Sequence, residues 1–489
     1  MVRRRPVADR YPSNEHSDDT LLFVLTPATG GGTWIEELKA EAIPAFQREI
    51  HYARIHIGLK GPRRPYAVVE WLEQERSSLE RRWVLSHFLR TLRQQFRVKQ
   101  LCTFIFDSDS FTQDVVLAED AYFAAMKPND EGNDWSDFEI LHTVASQVDV
   151  HDPYSAIRWD GVLAYRRWIN ENPDELTSLE IGRRLKAFAE SHGCTFEELG
   201  VEELKKEGMN LLVAVGQASK RSPSRCYLLG SHLGKGGRPL MLLGKGITFD
   251  TGGINVKTHD NLVHAMKNDM GGAALMSQLF ISLVKSGFDK PLLLVIPTCE
   301  NLVDADSMKP GSLIQSHKGI KVLVEHTDAE GRLILADAMS YAHGRYRPAM
   351  TLCAATLTTA SLRQFSGYFT AVHFAGSKVE RALQEAGQRW GERFSCWEDF
   401  LPFKAANSTK AGDLTNLGRL PSHAHIGGGS NVAAHFLREF TSEPFIHFDI
   451  FATCWNWSGD YPGSVFGATG APFNSLFDLL RHNSAALGI

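Results

Sequence analysis

The sequence has no long apolar stretch. Its apolar runs are short, such as Pro291–Pro297, and none approaches the ~18–20 residues that a membrane-spanning helix needs. The N-terminal segment begins with basic residues, but no apolar run follows them, so we expect neither a secretory signal nor a membrane anchor. Membrane proteins are therefore the first class that the sequence argues against.

Paired cysteines and an excess of positive charge are also missing. The seven cysteines are scattered without a Cys-X-X-Cys pair, which argues against a disulfide or zinc-finger framework and indicates a reduced, cytoplasmic protein. The chain has 52 Lys and Arg residues against 57 Asp and Glu residues, a formal net charge of −5. This balance argues against a nucleic-acid partner, because such proteins usually carry a basic surface.

The chain is long enough for two domains. With 489 residues, 43% of them hydrophobic and 22% charged, it has the composition of a globular protein. Apolar strands predicted at 21–25, 66–71 and 101–106, with a long amphipathic helix at 75–96, indicate a small α/β domain within residues 1–150.

Residues 151–175 form a predicted linker helix, and residues 176–489 alternate between helices and apolar segments. Two helices are predicted first, at Leu179–His192 and near Thr195–Glu207. Continuous apolar strands are predicted at Leu211–Val215, Cys226–Leu229, Pro239–Leu243, Leu292–Ile296, Lys321–Val324 and Met350–Ala355. Because such strands are typical of parallel sheets buried on both faces, we predict an α/β fold. It has a mostly parallel central sheet covered by helices in the C-terminal domain, and a smaller α/β N-terminal domain.

Carboxylates, glycines and single cations are concentrated in three segments of the larger domain. The first is GKGITFDTGGINVK at Gly244–Lys257, directly after a predicted strand. The second is KNDMGGAA at Lys267–Ala274, where the next helical pattern starts, and the third is EHTDAEGRL at Glu325–Leu333, between a strand and a helix. Because sites in open α/β sheets form at the carboxyl ends of strands, we expect the three segments to converge.

Each charged residue in these segments has an ordinary explanation when it is taken alone. Asp269 can be a helix N-cap, and Asp328 with Glu330 can belong to a solvated turn before a helix. Lys245 and Lys257 can be surface lysines. Four carboxylates and two lysines that converge on strand ends of one sheet are difficult to explain as surface residues.

The charge of the four carboxylates suggests what they bind. Carboxylates packed together repel and raise each other's pKa values, whereas two divalent cations would neutralise them. Oxygen ligands fit Zn²⁺, Mn²⁺ or Mg²⁺, and a water between two such ions loses its proton near neutral pH. Lys257 and Arg332 remain available for an oxyanion or a bound anion. The four carboxylates are Asp250, Asp269, Asp328 and Glu330.

The three segments resemble the leucyl aminopeptidase (cytosol aminopeptidase) family of dinuclear zinc exopeptidases. HTDAEGRL is similar to the family signature NTDAEGRL, and GKGITFDTGG and NDMGGAA are similar to its two other metal segments. The resemblance covers about residue 160 to the C-terminus. It implies a dinuclear metallopeptidase catalytic domain at 176–489 and a variable N-terminal domain at 1–150. The implied activity is that of a metal-dependent aminopeptidase, which removes the N-terminal residue of a peptide by a two-metal-activated water.

The resemblance also implies a ligand set. Lys245 would be a neutral amine ligand, and Asp250 and Glu330 would bridge the two metals. Asp269 would bind the tighter site together with Lys245, and Asp328 would bind the exchangeable one. The metals would be Zn²⁺, or alternatively Mn²⁺ or Mg²⁺.

Further roles follow from the same resemblance. Lys257 would contact the substrate carbonyl and the tetrahedral oxygen, and Arg332 would hold a bicarbonate that acts as general base. Met266 and Thr356 would line the pocket for the first side chain, and Leu357 and Thr359 would also belong to the substrate pocket. The substrates would be peptides with a free N-terminus, and the protein would be a cytoplasmic homohexamer.

Three residues depart from the family pattern. His326 stands where the signature has Asn, Thr359 stands where Gly usually follows ATLT, and Ser312 replaces the Asp of KPGD. None is an implied metal ligand, but all three lie near the substrate cleft in the family. A specialised dipeptidase or biosynthetic peptidase of narrow range therefore stays open. So does a DNA-binding role, since the Arg-rich segment 81–97 leaves room for a local basic patch.

Overall fold

The computed structural model describes residues 153–489, except 235, 259–262, 419–428 and 458–466. Before residue 153 it describes Ala40 and the backbone of seven strands. The chain divides into two compact units: Met1–Trp159 with Gln388–Gly391 and Gly459–Val465, and the remainder. The domain boundaries at residues 150 and 175 stay predictions.

The first unit contains a seven-stranded mixed sheet. Its strand order is β1-β7-β6-β2-β5-β4-β3. The first five strands in this order pair in parallel, whereas β4 pairs antiparallel with both β5 and β3. The strands are β1 (Arg3–Pro6), β2 (Thr20–Pro27), β3 (Arg48–Ile50), β4 (Ala53–Lys60), β5 (Arg64–Trp71), β6 (Gln100–Ile105) and β7 (Phe138–His142). The apolar segments at 21–25 and 66–71 fall in β2 and β5, and residues 101–105 of the third fall in β6, as predicted. The helix predicted at 75–96 lies outside the described residues.

Helices account for much of the rest of the described chain. No helix there is both long and apolar enough to cross a bilayer. The α-helices are α1 (Ser155–Asn170), α2 (Ser178–His192), α3 (Val201–Lys206), α4 (Asn210–Gly216), α5 (Gly271–Lys285), α6 (Gly331–Tyr346), α7 (Thr359–Phe365), α8 (Ser377–Trp390), α9 (Leu401–Ala405), α10 (Gly429–Arg438) and α11 (Phe473–His482). Two 3₁₀ helices span Val263–Met270 and Ser484–Leu487.

The second unit is built on a nine-stranded, mostly parallel sheet. Its order is β17-β16-β19-β15-β10-β12-β9-β8, and β11 also pairs with β12. The sheet strands are β8 (Thr195–Leu199), β9 (Arg225–Ser231), β10 (Leu240–Gly244), β11 (Gly246–Asp250), β12 (Leu292–Asn301), β15 (Met350–Ala355), β16 (Thr370–His373), β17 (Phe394–Trp397) and β19 (Phe445–Asp449). Two small sheets are formed by β13 (Leu313–Gln315), β14 (Lys321–Leu323) and β18 (Leu414–Thr415), and by β20 (Trp455–Asn456) and β21 (Gly467–Ala468).

The central sheet is buried on both faces, which explains its continuous apolar strands. Met241 and Val295 pack in one apolar cluster with residues of α4 and α6. The alternating residues Leu242 and Leu294 are also fully buried, and α5 packs on β10, β12 and β15. Because side chains of a strand alternate between faces, both faces must be covered. The predicted α/β fold with a mostly parallel central sheet is confirmed.

Two local predictions were wrong. Leu211–Val215 forms most of helix α4 rather than a strand. A short apolar run does not distinguish a buried helix from a buried strand, and here the Asp337 carboxylate accepts hydrogen bonds from Leu211 N and Leu212 N at 2.7 and 3.1 Å, which favours a helix start. The helix predicted near Thr195–Glu207 begins as the edge strand β8, and only Val201–Lys206 is helical.

The strand before the third charged segment belongs to a separate sheet. Lys321–Val324 was expected in the central sheet, but β14 pairs with β13 and β18 instead. The Asp328 and Glu330 loop therefore reaches the site through the start of α6, and α6 packs on β12. The expectation that all the carboxylates follow strands of one sheet was wrong, although they converge.

Candidate active site

The backbone around Lys245 is held between a strand and a helix. Lys245 follows β10 directly; its N–H donates to Ala354 O of β15 at 3.0 Å, and its carbonyl accepts from Ala273 N of α5 at 2.7 Å. Gly272 allows this approach, because a Cβ there would lie 2.2 Å from Ala354 O. The side chain of Lys245 is thereby fixed at the carboxyl end of the central sheet.

Lys245 connects the second and third charged segments. Its Nζ lies 2.7 Å from Asp269 Oδ1 and 2.8 Å from Glu330 Oε1, and it donates to Thr356 O at 2.9 Å. Burial alone would lower the pKa of Lys245, but Asp269 and Glu330 raise it above its ordinary value. In this arrangement Lys245 is an ammonium buried among carboxylates.

Lys257 connects the first and third segments in the same way. Its Nζ lies 2.8 Å from Asp250 Oδ2 and 2.5 Å from Asp328 Oδ1. Burial opposes the charge of Lys257, whereas Asp250 and Asp328 raise its pKa above the ordinary value. Asp250 Oδ1 accepts from Gly252 N at 2.9 Å and from Asn301 Nδ2 at 2.8 Å, so Asp250 is fixed by the end of β12 as well.

The carboxylates are close enough to share a cation. Ligand oxygens of Asp250, Asp328 and Glu330 lie within 4.8 Å of one another. Burial and the charge of Asp250 raise the pKa of Asp328 to about 8, despite Lys257. Burial likewise raises the pKa of Asp269 well above its ordinary value. Glu330 behaves differently: burial opposes its charge, but Lys245 and Lys257 lower its pKa to about 2.

The donor set fits divalent metal ions. Among the described residues, Asp269 Oδ2 and Glu330 Oε2 are buried without a hydrogen-bond partner. Buried carboxylate oxygens of this kind are costly unless a cation compensates them. Oxygen ligands with one amine suit Zn²⁺, Mn²⁺ or Mg²⁺ rather than soft thiophilic metals. The residues present could therefore hold the metal ions that the sequence predicts.

Arg332 lies in the first turn of α6 and is only 6% exposed. Burial lowers the pKa of its guanidinium to about 10, although Glu330 and Asp449 favour the charged form. Within the described part of the chain, Arg332 Nε has no hydrogen-bond partner. A buried guanidinium with a free N–H donor is suited to binding a small anion.

All eleven residues predicted for the site line one cavity of about 580 Å³. They are Lys245, Asp250, Lys257, Met266, Asp269, Asp328, Glu330, Arg332, Thr356, Leu357 and Thr359. His326 and Thr359, two of the departures from the family pattern, also face this cavity, whereas Ser312 is not among the described residues that line it. The structure brings the predicted residues together, and their individual roles stay predictions.

Asp449 is a site residue that the sequence analysis missed. It ends β19 and accepts hydrogen bonds from Thr358 Oγ1 at 2.6 Å, Leu357 N at 3.3 Å and Ser361 Oγ at 3.3 Å. These contacts fix the segment that carries Thr356 and leads into α7. The available signal was its position at the carboxyl end of an apolar run, FIHFD.

Helix α7 supplies two more residues that were not predicted. Arg363 and Gln364 line the cavity together with Thr359, and all three side chains are exposed. The metal-binding side of the same cavity is different, because Lys245, Asp250, Asp269 and Glu330 are each about 2% exposed. The cavity thus has a deep acidic end and a solvent end formed by α7.

The catalytic-domain model of the cytosol aminopeptidase family matches residues 163–477. The chain belongs to the cytosol aminopeptidase family. This confirms the family that the three motifs indicated, and the match contains every residue of the site described above.

Curated relatives of the family carry the same description. A probable cytosol aminopeptidase from Brucella melitensis is 35% identical over 326 residues, which cover 64% of this chain and 65% of the relative. One from Rhodococcus erythropolis is 33% identical over 331 residues, covering 67% of this chain and 64% of the relative. The match therefore spans slightly less than two thirds of these relatives' own length.

Solved structures resemble the chain over almost its full length. The bottromycin maturation enzyme BotP in complex with Mn has a TM-score of 0.78 and 22% identity, with 95% of this chain and 99% of BotP covered. A second BotP structure has a TM-score of 0.76 at the same identity. At this identity the similarity shows a shared fold.

Proposed function

We propose that this protein is a metal-dependent aminopeptidase, which hydrolyses the N-terminal residue from peptides with two bound divalent metal ions. The observation that carries the proposal is the cluster of Asp250, Asp328 and Glu330, whose ligand oxygens lie within 4.8 Å of one another and of which Asp250 and Glu330 are buried. It is joined to Asp269 through Lys245 and opens into the cavity. Membership in the cytosol aminopeptidase family supports the same reaction.

The ligands would be Lys245, Asp250, Asp269, Asp328 and Glu330. Two divalent ions held there would supply an activated water and polarise the scissile carbonyl. Lys245 would have to lose its proton to become a ligand, and a bound metal ion would favour that loss by repelling the ammonium charge. Asp250 would keep its orientation through Gly252 N and Asn301 Nδ2, which both donate to Oδ1, so Oδ2, which contacts Lys257, would stay directed at the cluster.

Two cations of the chain would act on the substrate. Lys257, held by Asp250 and Asp328, would donate to the carbonyl oxygen as negative charge develops on it in the transition state. Arg332 would hold an anion such as bicarbonate, which would accept a proton from the attacking water. Met266 and Thr356 would contact the side chain of the first residue, and Leu357 and Thr359 would line the rest of the substrate pocket.

A narrower activity within the same reaction is a second candidate. BotP, which has a related fold, is a bottromycin maturation enzyme, and this similarity supports a biosynthetic peptidase of restricted range. Thr359 and His326, which both line the cavity, would provide the restriction. A DNA-binding role stays a hypothesis, because the segment 81–97 lies outside the described residues.

The remaining expectations are proposals of the same kind. One of the BotP structures is a complex with Mn, so Mn²⁺ is to be tested beside Zn²⁺ and Mg²⁺. The relatives are named as cytosol aminopeptidases, which supports a cytoplasmic location. A homohexamer is expected from the family resemblance and is testable by light scattering.

A dipeptide and tripeptide library tests the proposed reaction. Chelated protein is supplied with Zn²⁺, Mn²⁺ or Mg²⁺, and release of the free N-terminal amino acid is measured. We expect release from peptides with a free N-terminus and none from their N-acetylated forms. Cleavage of internal bonds, or equal release from acetylated peptides, would contradict the aminopeptidase assignment.

A further inference from the structure

The solvent end of the cavity carries a cation that the mechanism does not use. Arg363 lines the cavity and its side chain is exposed. Among the described residues it has no ion-pair or hydrogen-bond partner. Lys245 and Lys257 are paired with carboxylates, and Arg332 is buried in the first turn of α6. Among the described residues that line this cavity, Arg363 is therefore the exposed cation that an incoming substrate meets.

Arg363 is presented by a short helix that is fixed at its start. The hydroxyl groups of Thr358 and Ser361 and the N–H of Leu357 all donate to the buried carboxylate of Asp449. Thr359 and Arg363 are four residues apart on α7, so they lie on the same face of the helix. Gln364, next to Arg363, also lines the cavity and adds amide donors.

The cavity thus offers different chemistry at its two ends. Its deep end has the buried carboxylates that would hold the metal ions, and its solvent end has a free guanidinium with an amide beside it. A short peptide has the complementary arrangement, with an amino group at one end and a carboxylate at the other. A dipeptide spans roughly 7 Å when extended, and a cavity of about 580 Å³ lies within the range of small-ligand sites.

We propose that Arg363, assisted by Gln364, binds the C-terminal carboxylate of a di- or tripeptide whose N-terminal residue lies at the carboxylate cluster. Guanidinium groups bind carboxylates through paired, charge-assisted hydrogen bonds, so this contact selects peptides with a free C-terminus close to the scissile bond. The inference rests on the proposed aminopeptidase function and names its substrate class. Longer peptides place their carboxylate beyond Arg363 and lose the contact.

The free acid and the amide of one dipeptide test this inference. X-Gly and X-Gly-amide are compared, where X is the first residue released fastest from the library. We expect kcat/KM for the free acid to exceed that for the amide about 10-fold in the wild-type protein. In Arg363→Ala this ratio should fall to about one, in Arg363→Glu it should fall below one, and Arg363→Lys should retain part of it.

The control is Arg381→Ala, which removes an exposed arginine of α8 outside the cavity and should leave the ratio unchanged. A wild-type ratio near one, or a ratio that Arg363→Ala does not change, would overturn the inference. X-Asp-amide and X-Asn-amide test recognition of an acidic side chain instead. If Arg363→Ala changes only the preference between these two substrates, Arg363 recognises an acidic side chain, which would overturn the C-terminal assignment. Failure of the proposed function looks different, because the wild type would then release X from neither substrate.

Discussion

Two lysines, Lys245 buried and Lys257 partly buried, each pair with two of the four carboxylates of the site. Lys245 contacts Asp269 and Glu330, whereas Lys257 contacts Asp250 and Asp328. Removing one partner of such a buried pair leaves an uncompensated charge, which commonly costs about 3–5 kcal/mol. Asp328 is the most exposed of the four carboxylates in these pairs, with 23% of its side chain accessible, so it is the one that can be removed at the least cost to folding.

Asp328→Ala and Glu330→Ala should each abolish peptide hydrolysis in a protein that still folds. Either change removes a ligand oxygen, so we expect kcat/KM to fall by at least about 100-fold and metal content to decrease. Turnover, elemental analysis and circular dichroism of the purified variants measure this. Asp289→Ala, an exposed acid outside the cavity, is the control. Wild-type turnover with two bound metals in either variant would show that the site is assigned wrongly.

Lys257→Ala should lower kcat more than it raises KM. A cation directed at charge that develops only in the transition state stabilises that state selectively, so we expect kcat to fall about 100- to 1000-fold. Steady-state kinetics separate the two constants, and Lys285→Ala on the exposed end of α5 serves as control. An unchanged kcat would remove Lys257 from the proposed chemistry.

At the scale of secondary-structure elements, we expect α7 to surround the leaving part of a substrate. Thr359 is the first residue of α7, is exposed and lines the cavity. A glycine at this position would allow the peptide backbone to approach more closely, because no Cβ or hydroxyl intrudes. With threonine at this position, crowding by its side chain and the guanidinium of Arg363 would act together to favour short substrates.

Thr359→Gly should therefore widen the range of substrates. We expect its kcat/KM to rise most for tripeptides and tetrapeptides, relative to a dipeptide with the same first residue. Kinetics across the three lengths for wild type and variant measure the effect. If kcat/KM of the wild type is equal for the three peptide lengths, or if Thr359→Gly has the same length dependence as the wild type, the departures from the family pattern have no role in specificity.

Helix α6 also contains a partly buried histidine that links it to β15. His343 Nε2 and Nδ1 lie 2.9 Å from the hydroxyls of Thr351 and Thr441. Burial lowers the pKa of His343 to about 4, although Glu443 favours the charged form, and Lys318 and Arg238 oppose it. The unfolded chain therefore binds this proton more readily, and the stabilising contribution of His343 is lost as pH falls from about 6.5 towards 4.

Between pH 7 and pH 5, wild type should lose about 2 kcal/mol more unfolding free energy than His343→Gln, which cannot be protonated. Guanidinium unfolding at the two pH values measures the difference. The control His192→Gln, at the exposed end of α2, should lose as much unfolding free energy between the two pH values as the wild type does. Equal pH dependence in wild type and His343→Gln would contradict the assignment of this acid sensitivity to His343.

The elements differ in how far the sequence predicts them. Strands β10, β12 and β15 and helix α2 were predicted because continuous apolar runs or a helical pattern mark them. Helix α4 was not, because a short apolar run fits both structures and the deciding contact is with Asp337, more than a hundred residues away. Asp449 and Arg363 were missed for a similar reason: each is a single residue whose role depends on packing across the fold.

At the scale of the whole molecule, the proposed chemistry belongs to one unit. Every residue of the site lies in Asp160–Gly387 or Glu392–Ser458, and the family match at 163–477 covers these residues. The motifs allowed the site to be predicted because each one joins a metal-binding residue type to the glycines that permit close packing. The first unit carries no such motif, so the sequence does not predict what this unit contributes to the function.

Turnover measured against bound metal tests the two-metal proposal most directly. Metal-free protein, verified by elemental analysis, is titrated with Zn²⁺ or Mn²⁺ while release of the N-terminal residue from a dipeptide is recorded. We expect no turnover without metal and a plateau at two ions per chain. One ion should bind more tightly, because Lys245 pairs with two of the four carboxylates, Asp269 and Glu330, and would serve one ion more than the other. Full turnover in the metal-free protein, or a plateau at one ion, would contradict the proposal.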